Sequence, residues 1–566
     1  MWRKIVLAGY LRMTSRVLSL LTPETAANFH RRGEWENRTI YSVLQDQVEC
    51  EPDNWAIRDR GQSLTYAQLQ AAADALAEDL YARGVRRFQR VAYWLPDCVE
   101  SIIVVLACSR NGYVVCPSPH RNHTVREIVE LLERMQAVAF VYQEGFGSDA
   151  ATTNIKVELP RLSSLDHIFQ IEPFKTTPLF AGAFLSHHSN STLPVEDPDR
   201  VSYLAFTSGS TGQPKGVMHS DNTQLVTARG ISRDWKIGPG SVVYSMSPLS
   251  HNLGMGAYLT ALYGGATFVA HDRLGSESTV DRILEVEASY LVGVPTHALD
   301  LLNEMDARGM GRLGKVKGFR VSGAAAPKEV FERLLVAGVE PQSGYGMTET
   351  NGHQYTRPGD NLDLITGSCG RAVPGYAVSI FDPDDLDREM PQGKIGIVGG
   401  KGASLMLGYY DDQTATEKCL NSDGWFLTGD LGVLDADGYL TLTGRIKEII
   451  VRGGHNINPE RIEGLAMRDP AVERAVALPV PDDRLGERVC LAVTFRAGAN
   501  SDFDSVLEHL ASLGLSRYDM PEFMLALNDV PLMSNGKFQR KDIMDWIQNG
   551  TVSPLPVRYT PFTGGD

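Results

Sequence analysis

No two cysteines in this chain are spaced as Cys-x-x-Cys. The seven present, Cys50, Cys98, Cys108, Cys116, Cys369, Cys419 and Cys490, are odd in number and scattered over 566 residues. That pattern excludes a disulfide framework and a zinc site made of four cysteines, and it points to a reducing compartment, the cytoplasm. His187 and His188 have no cysteine or carboxylate at ligand spacing and read as part of a solvated, Ser-rich loop. Apolar runs near the ~20 residues that span a bilayer are missing, so no integral membrane association is expected. Positive charge is in short supply: 54 basic residues face 69 acidic ones, for a net charge of −15. A general nucleic-acid binder needs the opposite balance; a local basic site for one nucleotide does not. Acidic residues are absent from the first 23 positions, which hold four basic ones. This suits a targeting or membrane-surface segment without a small-residue cleavage pattern, or initiation at Met13.

What is there is ordinary for a large globular protein: 43% hydrophobic and 22% charged residues, in a chain long enough for two or more domains. Thr65 starts a helix whose apolar positions Tyr66, Leu69, Ala73, Leu76 and Leu80 recur at helical spacing up to Gly84. Strands are expected at Val91–Leu95, Val201–Phe206, Ser241–Met246, Ala266–Ala270, Tyr290–Val294 and Phe319–Ser322, with helices opened by Pro295 and Pro327. The stretch 144–200 is Ser-, Thr- and Pro-rich and reads as surface loops. Strand–helix alternation implies parallel sheets covered by helices, with ligands at loops leaving the strands' carboxyl ends. Two signature loops fall there, after Phe206 and after Val321. Beyond about 444 the texture changes to a small α+β unit of about 120 residues.

The first of these loops, LAFTSGSTGQPKGVMHS (204–220), gathers hydroxyls, glycines and a lysine. Glycines permit close backbone approach, bare amides donate, and lysine adds compact positive charge, which together make a phosphate cradle. It is not a GxxxxGK[ST] P-loop, because Gly209, Gly212 and Lys215 have other spacings. Ser208-Gly209-Ser210-Thr211-Gly212 imitates a nucleophile elbow, but serine stands where that motif has its first glycine.

Four further stretches follow in order: YGMTET (345–350), GWFLTGDLG (424–432), GRIKEIIVRGGHNINPERIE (444–463) and NGKFQRKD (535–542). With the loop FTSGSTGQPKGV they resemble the adenylate-forming superfamily, which includes acyl-CoA synthetases, luciferases and carrier-loading adenylation domains. The resemblance runs from about residue 35 to 545. It implies a large α/β N-terminal domain of parallel-rich sheets covered by helices and a small mobile α+β C-terminal domain. The boundaries it suggests are an extension at 1–34, an AMP-binding domain at 35–444, a hinge at 445–447 and a lid at 448–566. It also implies a two-step reaction with ATP, Mg²⁺ and a thiol: an acid forms an acyl-adenylate, and the thiol then displaces AMP.

Carried over residue by residue, the resemblance puts Thr207, Ser208, Gly209, Ser210, Thr211, Gly212 and Lys215 around the β- and γ-phosphates. Gly323, Ala324 and Ala325, following Ser322, would run beside the adenine, and Tyr345 would stack on it, with Gly346 and Met347 next in the loop. Thr348 would contact the α-phosphate and Glu349 would hold Mg²⁺. Asp430 would accept from the ribose hydroxyls, and Arg445 would reach the ribose or phosphates. Lys447 occupies the hinge position, and Lys537 would bridge the acid and the α-phosphate during adenylation. After a pivot the loop Arg452–Asn456 would replace it, with Gly453 and Gly454 leaving room for the thiol-bearing arm.

The segment SPLSHNLGMG (247–256) lies where such enzymes build the acid pocket. His251 would sit by the acyl carboxylate, and Asn252 would read a ring hydroxyl, with Gly256, Gly323 and Gly346 completing the wall. Met255, Tyr258 and His353 are expected to line it too. The His-Asn pair and CPSPHRNHTVREI (116–128) resemble aryl-acid and cyclic-acid activating members, which favours a compact aromatic or alicyclic acid. Coenzyme A is the expected acceptor; the alternative is the phosphopantetheine of a separate carrier protein. A member that binds adenylates without turnover, or a luciferase-like oxygenase, is a different class; Lys215, Glu349, Asp430, Arg445 and Lys537 argue against the former.

Overall fold

The computed structural model describes residues 20–149, 152–174, 192–207, 214–271, 277–324, 326–446, 448–452, 455–482, 484–499, 502–532 and 538–559. Ser208, Gly209, Ser210, Thr211 and Gly212 of the phosphate loop lie outside them, as do Ala325, Lys447, Gly453, Gly454, Lys537, Met13 and the pair His187-His188.

Two large sheets dominate. One has nine strands, in the order Arg371–Ala372, Asn351–Tyr355, Glu340–Met347, Gly318–Ser322, Tyr290–Gly293, Val242–Ser245, Thr267–Ala270, Trp55–Arg58 and Ser63–Thr65. Its central pairs are parallel, and antiparallel partners close both edges. The other has seven strands and includes Arg90–Trp94, Val114–Cys116 and Val201–Thr207 in parallel pairs, with Lys215–Ser220 antiparallel to the last. An antiparallel sheet of four strands, Tyr376–Phe381 to Leu440–Arg445, follows. A fourth sheet, of six strands between Ile450 and Pro556, packs on its own helices over one core that includes Ile450, Ile462 and Leu507 and a second that includes Val476. This is the α/β class with a large and a smaller unit that the motif order implied.

Local chemistry accounts for the elements. The helix Tyr66–Ala82 begins with a reciprocal capping box between Thr65 and Gln68, buries Leu69, Ala73, Leu76 and Leu80, and ends just before Gly84 at φ 101°. Helix Val99–Asn111 is buried along its whole length, because residues of both large sheets meet in the core around it. Pro295 is the first residue of helix Pro295–Ala307, as its fixed φ favours. Pro327 is instead an N-cap with ψ 145°, and the helix runs Lys328–Val336. The stretch 144–200, expected to be loops, contributes an edge strand, His167–Ile171, that pairs in parallel with Ala137–Gln143. Its alternation is hidden in the sequence because Ile168 points outward, 45% exposed.

The smaller unit touches the larger through ion pairs such as Arg468 with Glu329 at 2.7 Å and Arg474 with Asp300 at 3.3 Å, each with a partly exposed partner. Pairs of this exposure are worth about 0–1 kcal/mol each.

Candidate active site

A cavity of about 160 Å³ opens where strands of the nine-stranded sheet end. Ser247 follows Val242–Ser245, Val294 follows Tyr290–Gly293, Gly323 follows Gly318–Ser322, and Gly346–Thr348 closes Glu340–Met347; all of them line the cavity. Carboxyl ends of parallel strands are where an α/β sheet leaves room for ligands. Two helices form the other walls. From Asp221–Asp234 come Gln224, Thr227, Ala228 and Ile231, the i, i+3, i+4, i+7 stripe of one face. From Asn252–Gly264 come Asn252, Gly256 and Thr260, spaced four apart.

That helical phase corrects one expectation. Met255 and Tyr258 fall on the opposite side of Asn252–Gly264 and are packed into the core at 1% exposure each. His353 does not line the cavity either; its ring lies 4.4 Å from Tyr376 and 5.2 Å from Tyr345. The expected His251, Asn252, Gly256, Gly323 and Gly346 do line it, and Met347 and Thr348, expected beside the nucleotide, line it as well. His251 stacks on His120 with centroids 4.0 Å apart and planes within 6°. Burial, then the His251 and His123 imidazoles, hold His120 well below its usual pKa.

Asn351 links this wall to the next loop. It holds φ 56°, uncommon for a residue with a side chain. Its Oδ1 accepts from Asn252 Nδ2 at 3.0 Å, and its Nδ2 donates to the carbonyls of Thr223 at 3.1 Å and Ser404 at 3.0 Å. Asn252 Oδ1 remains buried without a partner. Gly346 must be glycine here, since a Cβ would stand 1.8 Å from the Asn351 carbonyl oxygen.

On the far side of Thr348 the polar groups thicken. His219 Nε2 donates to the Thr348 carbonyl at 2.6 Å; burial lowers this imidazole to about 4, so it is a neutral donor. Glu349 Oε1 accepts from the Tyr409 hydroxyl at 2.8 Å, and Lys215 Nζ lies 4.8 Å over the same tyrosine ring. Thr207 and Lys215 face each other across the antiparallel pair that brackets the phosphate loop. Asp430 and Arg445 likewise sit opposite each other on neighbouring strands. Arg445 Nε donates to Asp430 Oδ1 at 2.6 Å, and the Tyr345 hydroxyl donates to Oδ2 at 2.6 Å. Ala324 is exposed beyond Gly323, which takes φ 95°.

Gln224, Thr227, Thr260 and Arg320 escaped the sequence reading. Gln224 and Thr227 belong to a helix whose polar face looks solvated in sequence, yet Asp221–Asp234 is buried from Asp221 through Arg229; Thr260 is a lone aliphatic hydroxyl in an otherwise apolar stretch of helix. A helix that is polar and helically phased beside a signature loop was the available signal. For Arg320 it was a lone cation inside the strand Gly318–Ser322.

The profile of the AMP-binding enzyme family matches residues 44–410. The chain is 28% identical over 540 residues to the medium-chain fatty-acid–CoA ligase of Escherichia coli K12, covering 94% of each chain. It is 30% identical over 492 residues to the sulfoacetate–CoA ligase of Cupriavidus necator H16, covering 86% of this chain and 93% of that one. ATP-bound MatB from Rhodopseudomonas palustris is a structural neighbour with a TM-score of 0.79 at 26% identity, covering 90% and 99%.

Proposed function

The chain belongs to the AMP-binding enzyme family, and from that premise we propose that it joins a compact carboxylic acid to coenzyme A at the expense of ATP, releasing AMP and pyrophosphate. The observation that carries this reading is the cavity of about 160 Å³ that ends at Gly323 and Gly346–Thr348. A cavity of ~150 Å³ takes one benzene-sized ring, so an aromatic or alicyclic acid fits. The coenzyme A ligases among the relatives support the thiol, and the ATP-bound neighbour supports the nucleotide.

In the first step an acid carboxylate oxygen attacks the α-phosphorus, and the bond to the pyrophosphate oxygen breaks. Thr348 and Lys537 hold the α-phosphate and the attacking oxygen in line, while Thr207, Lys215 and residues 208–212 retain the leaving pyrophosphate. Gly323–Ala325 and Tyr345 hold the adenine. Asp430, already oriented by Arg445 and Tyr345, accepts from the ribose hydroxyls. Glu349 would hold Mg²⁺, a hard cation suited to a carboxylate oxygen. When bound it neutralises phosphate charge. Glu349 is kept in place by Tyr409.

In the second step the thiol attacks the acyl carbon and AMP departs. We place the domain boundary at 444–447 and the pivot at Lys447, after which Gly453 and Gly454 frame the thiol's path. Partly exposed ion pairs between the units, such as Arg468 with Glu329, suit such a movement. Seven free cysteines suit a cytoplasmic enzyme.

The test is AMP and pyrophosphate release with ATP and Mg²⁺ across benzoic, hydroxybenzoic, alicyclic and short-chain acids, with and without coenzyme A. Multiple turnovers only with coenzyme A, and an acyl-CoA product, are expected. A single stoichiometric burst that coenzyme A leaves unchanged would transfer the acceptor role to a carrier protein.

A further inference from the structure

Arg320 is an arginine in the cavity wall to which the reaction above gives no role. It lies on the central strand Gly318–Ser322, is 5% exposed, and lines the cavity. Among the described residues no carboxylate forms an ion pair with it, and its Nε is buried without a hydrogen-bond partner. The ionisable groups that act on it are the phenols of Tyr290 and Tyr355, and burial pushes both far above neutral pH. Its guanidinium carbon lies 5.9 Å from the Tyr355 ring centroid, a weak substitute for an anion. A guanidinium cannot discard its proton, so this is a buried positive charge that lacks a counter-charge from the protein.

The surroundings are built to the same end. Gly352 leaves space for the guanidinium: a Cβ there would stand 2.1 Å from Arg320 Nη2, although the backbone at Gly352 is not in the left-handed region. Four more buried polar atoms lining the cavity lack partners: Gln224 Nε2, Thr227 Oγ1 and Ser247 Oγ, which can donate, and Asn252 Oδ1, which can only accept. Gln224 and Thr227 are 3% and 7% exposed. An amide N–H, a hydroxyl and a guanidinium form a donor-rich set, which suits an acceptor-only group.

The geometry points to Arg320, aided by Gln224 and Thr227, as the counter-ion for a second anionic group on the substrate acid, a carboxylate or sulfonate distal to the carboxylate that is adenylated. This inference rests on the acid–CoA ligase reading of the cavity and narrows its substrate class to compact acids bearing two negative charges. A bidentate pair with a planar anion would satisfy the guanidinium, whereas a neutral distal end would leave it unpaired and buried.

The experiment compares acids matched in size: butyrate with succinate, benzoate with isophthalate, and 3-sulfopropionate with succinate to separate carboxylate from sulfonate. AMP release gives kcat/KM, and the melting temperature with acid alone gives binding without catalysis. At least one doubly charged acid should exceed its singly charged partner by ~10²-fold or more, as sites with buried donors discriminate strongly. Arg320→Met should collapse that ratio and abolish the thermal shift while the singly charged acids are still activated. Gly352→Ala, which crowds Nη2 from the opposite side, should do the same and serves if Arg320→Met does not fold. Preference for the singly charged acids, or an unchanged ratio in both variants, would overturn the inference and leave the ligase reading standing. A thermal shift by a doubly charged acid that depends on Arg320, without AMP release from any acid, would uphold the charge site and overturn the ligase reading. Neither shift nor release from any doubly charged acid overturns the inference.

Discussion

The Tyr345 hydroxyl lies 2.6 Å from Asp430 Oδ2, so the carboxylate assigned to the ribose is already a hydrogen-bond acceptor within the protein. Its other oxygen takes Arg445 Nε at 2.6 Å. Removing the carboxylate therefore strands two donors, one of them charged, as well as the ribose contacts. Asp430→Ala should lower kcat/KM for ATP by ~10²-fold or more, and Tyr345→Phe, which only frees Oδ2, by less than ~10-fold. Unchanged ATP dependence in Asp430→Ala would end the ribose assignment.

Asn252 donates to Asn351 and keeps Oδ1 buried without a partner. That oxygen can accept a hydroxyl from the acid but can offer nothing to an unsubstituted ring. Asn252→Leu should shift relative kcat/KM from hydroxylated toward unsubstituted acids by ~10-fold or more. An unmoved ratio would show that Asn252 only anchors Asn351.

Lys537 is assigned to adenylation alone. Lys537→Ala should reduce acid-dependent pyrophosphate release by ~10²-fold or more, yet convert supplied acyl-adenylate and coenzyme A to thioester at close to the normal rate. Equal loss in both half-reactions would remove that role.

Glu349 is held by Tyr409, the tyrosine beneath Lys215. Tyr409→Phe should raise the Mg²⁺ concentration needed for half-maximal activity several-fold, with little change in KM for the acid. A change confined to the acid's KM would place Glu349 outside the metal site.

Burial lowers His219 from 6.5 to about 4 and His353 from 6.5 to about 3. The unfolded chain takes up these protons near 6.5, where the folded chain cannot, so unfolding is favoured as pH falls. Their contribution to stability is whole above pH 6.5 and is lost progressively from there down through about 4 and 3. The urea midpoint should fall between pH 7 and 4.5, and the fall should be shallower in a variant carrying His219→Gln and His353→Gln. Parallel slopes would refute this.

The sequence disclosed the parts of this molecule that are local in the chain. Loops between a strand and a helix announce themselves by glycine, hydroxyl and proline, as at Thr207–Lys215, Gly323 and Gly346–Thr348. The acid pocket was harder, because it is made by helix faces, and a face requires the correct phase. Asn252 and Gly256 line the cavity, whereas Met255 and Tyr258, close to them in sequence, belong to the core. Arg320 comes to the cavity only because its strand lies between Tyr290–Gly293 and Glu340–Met347 in the sheet. No short window contains that adjacency.

Arg320 and Ser322 both line the cavity from one extended strand. Alternate residues of a strand share a face and are separated by about 6.6 Å, a spacing set by peptide geometry. The strand is thus a ruler. Substitutions at Ala228, Ile231 or Thr260 can widen the chamber, but none can lengthen the interval marked on its floor. New substrates reached by altering those helices should vary in girth more readily than in the distance between their two ends.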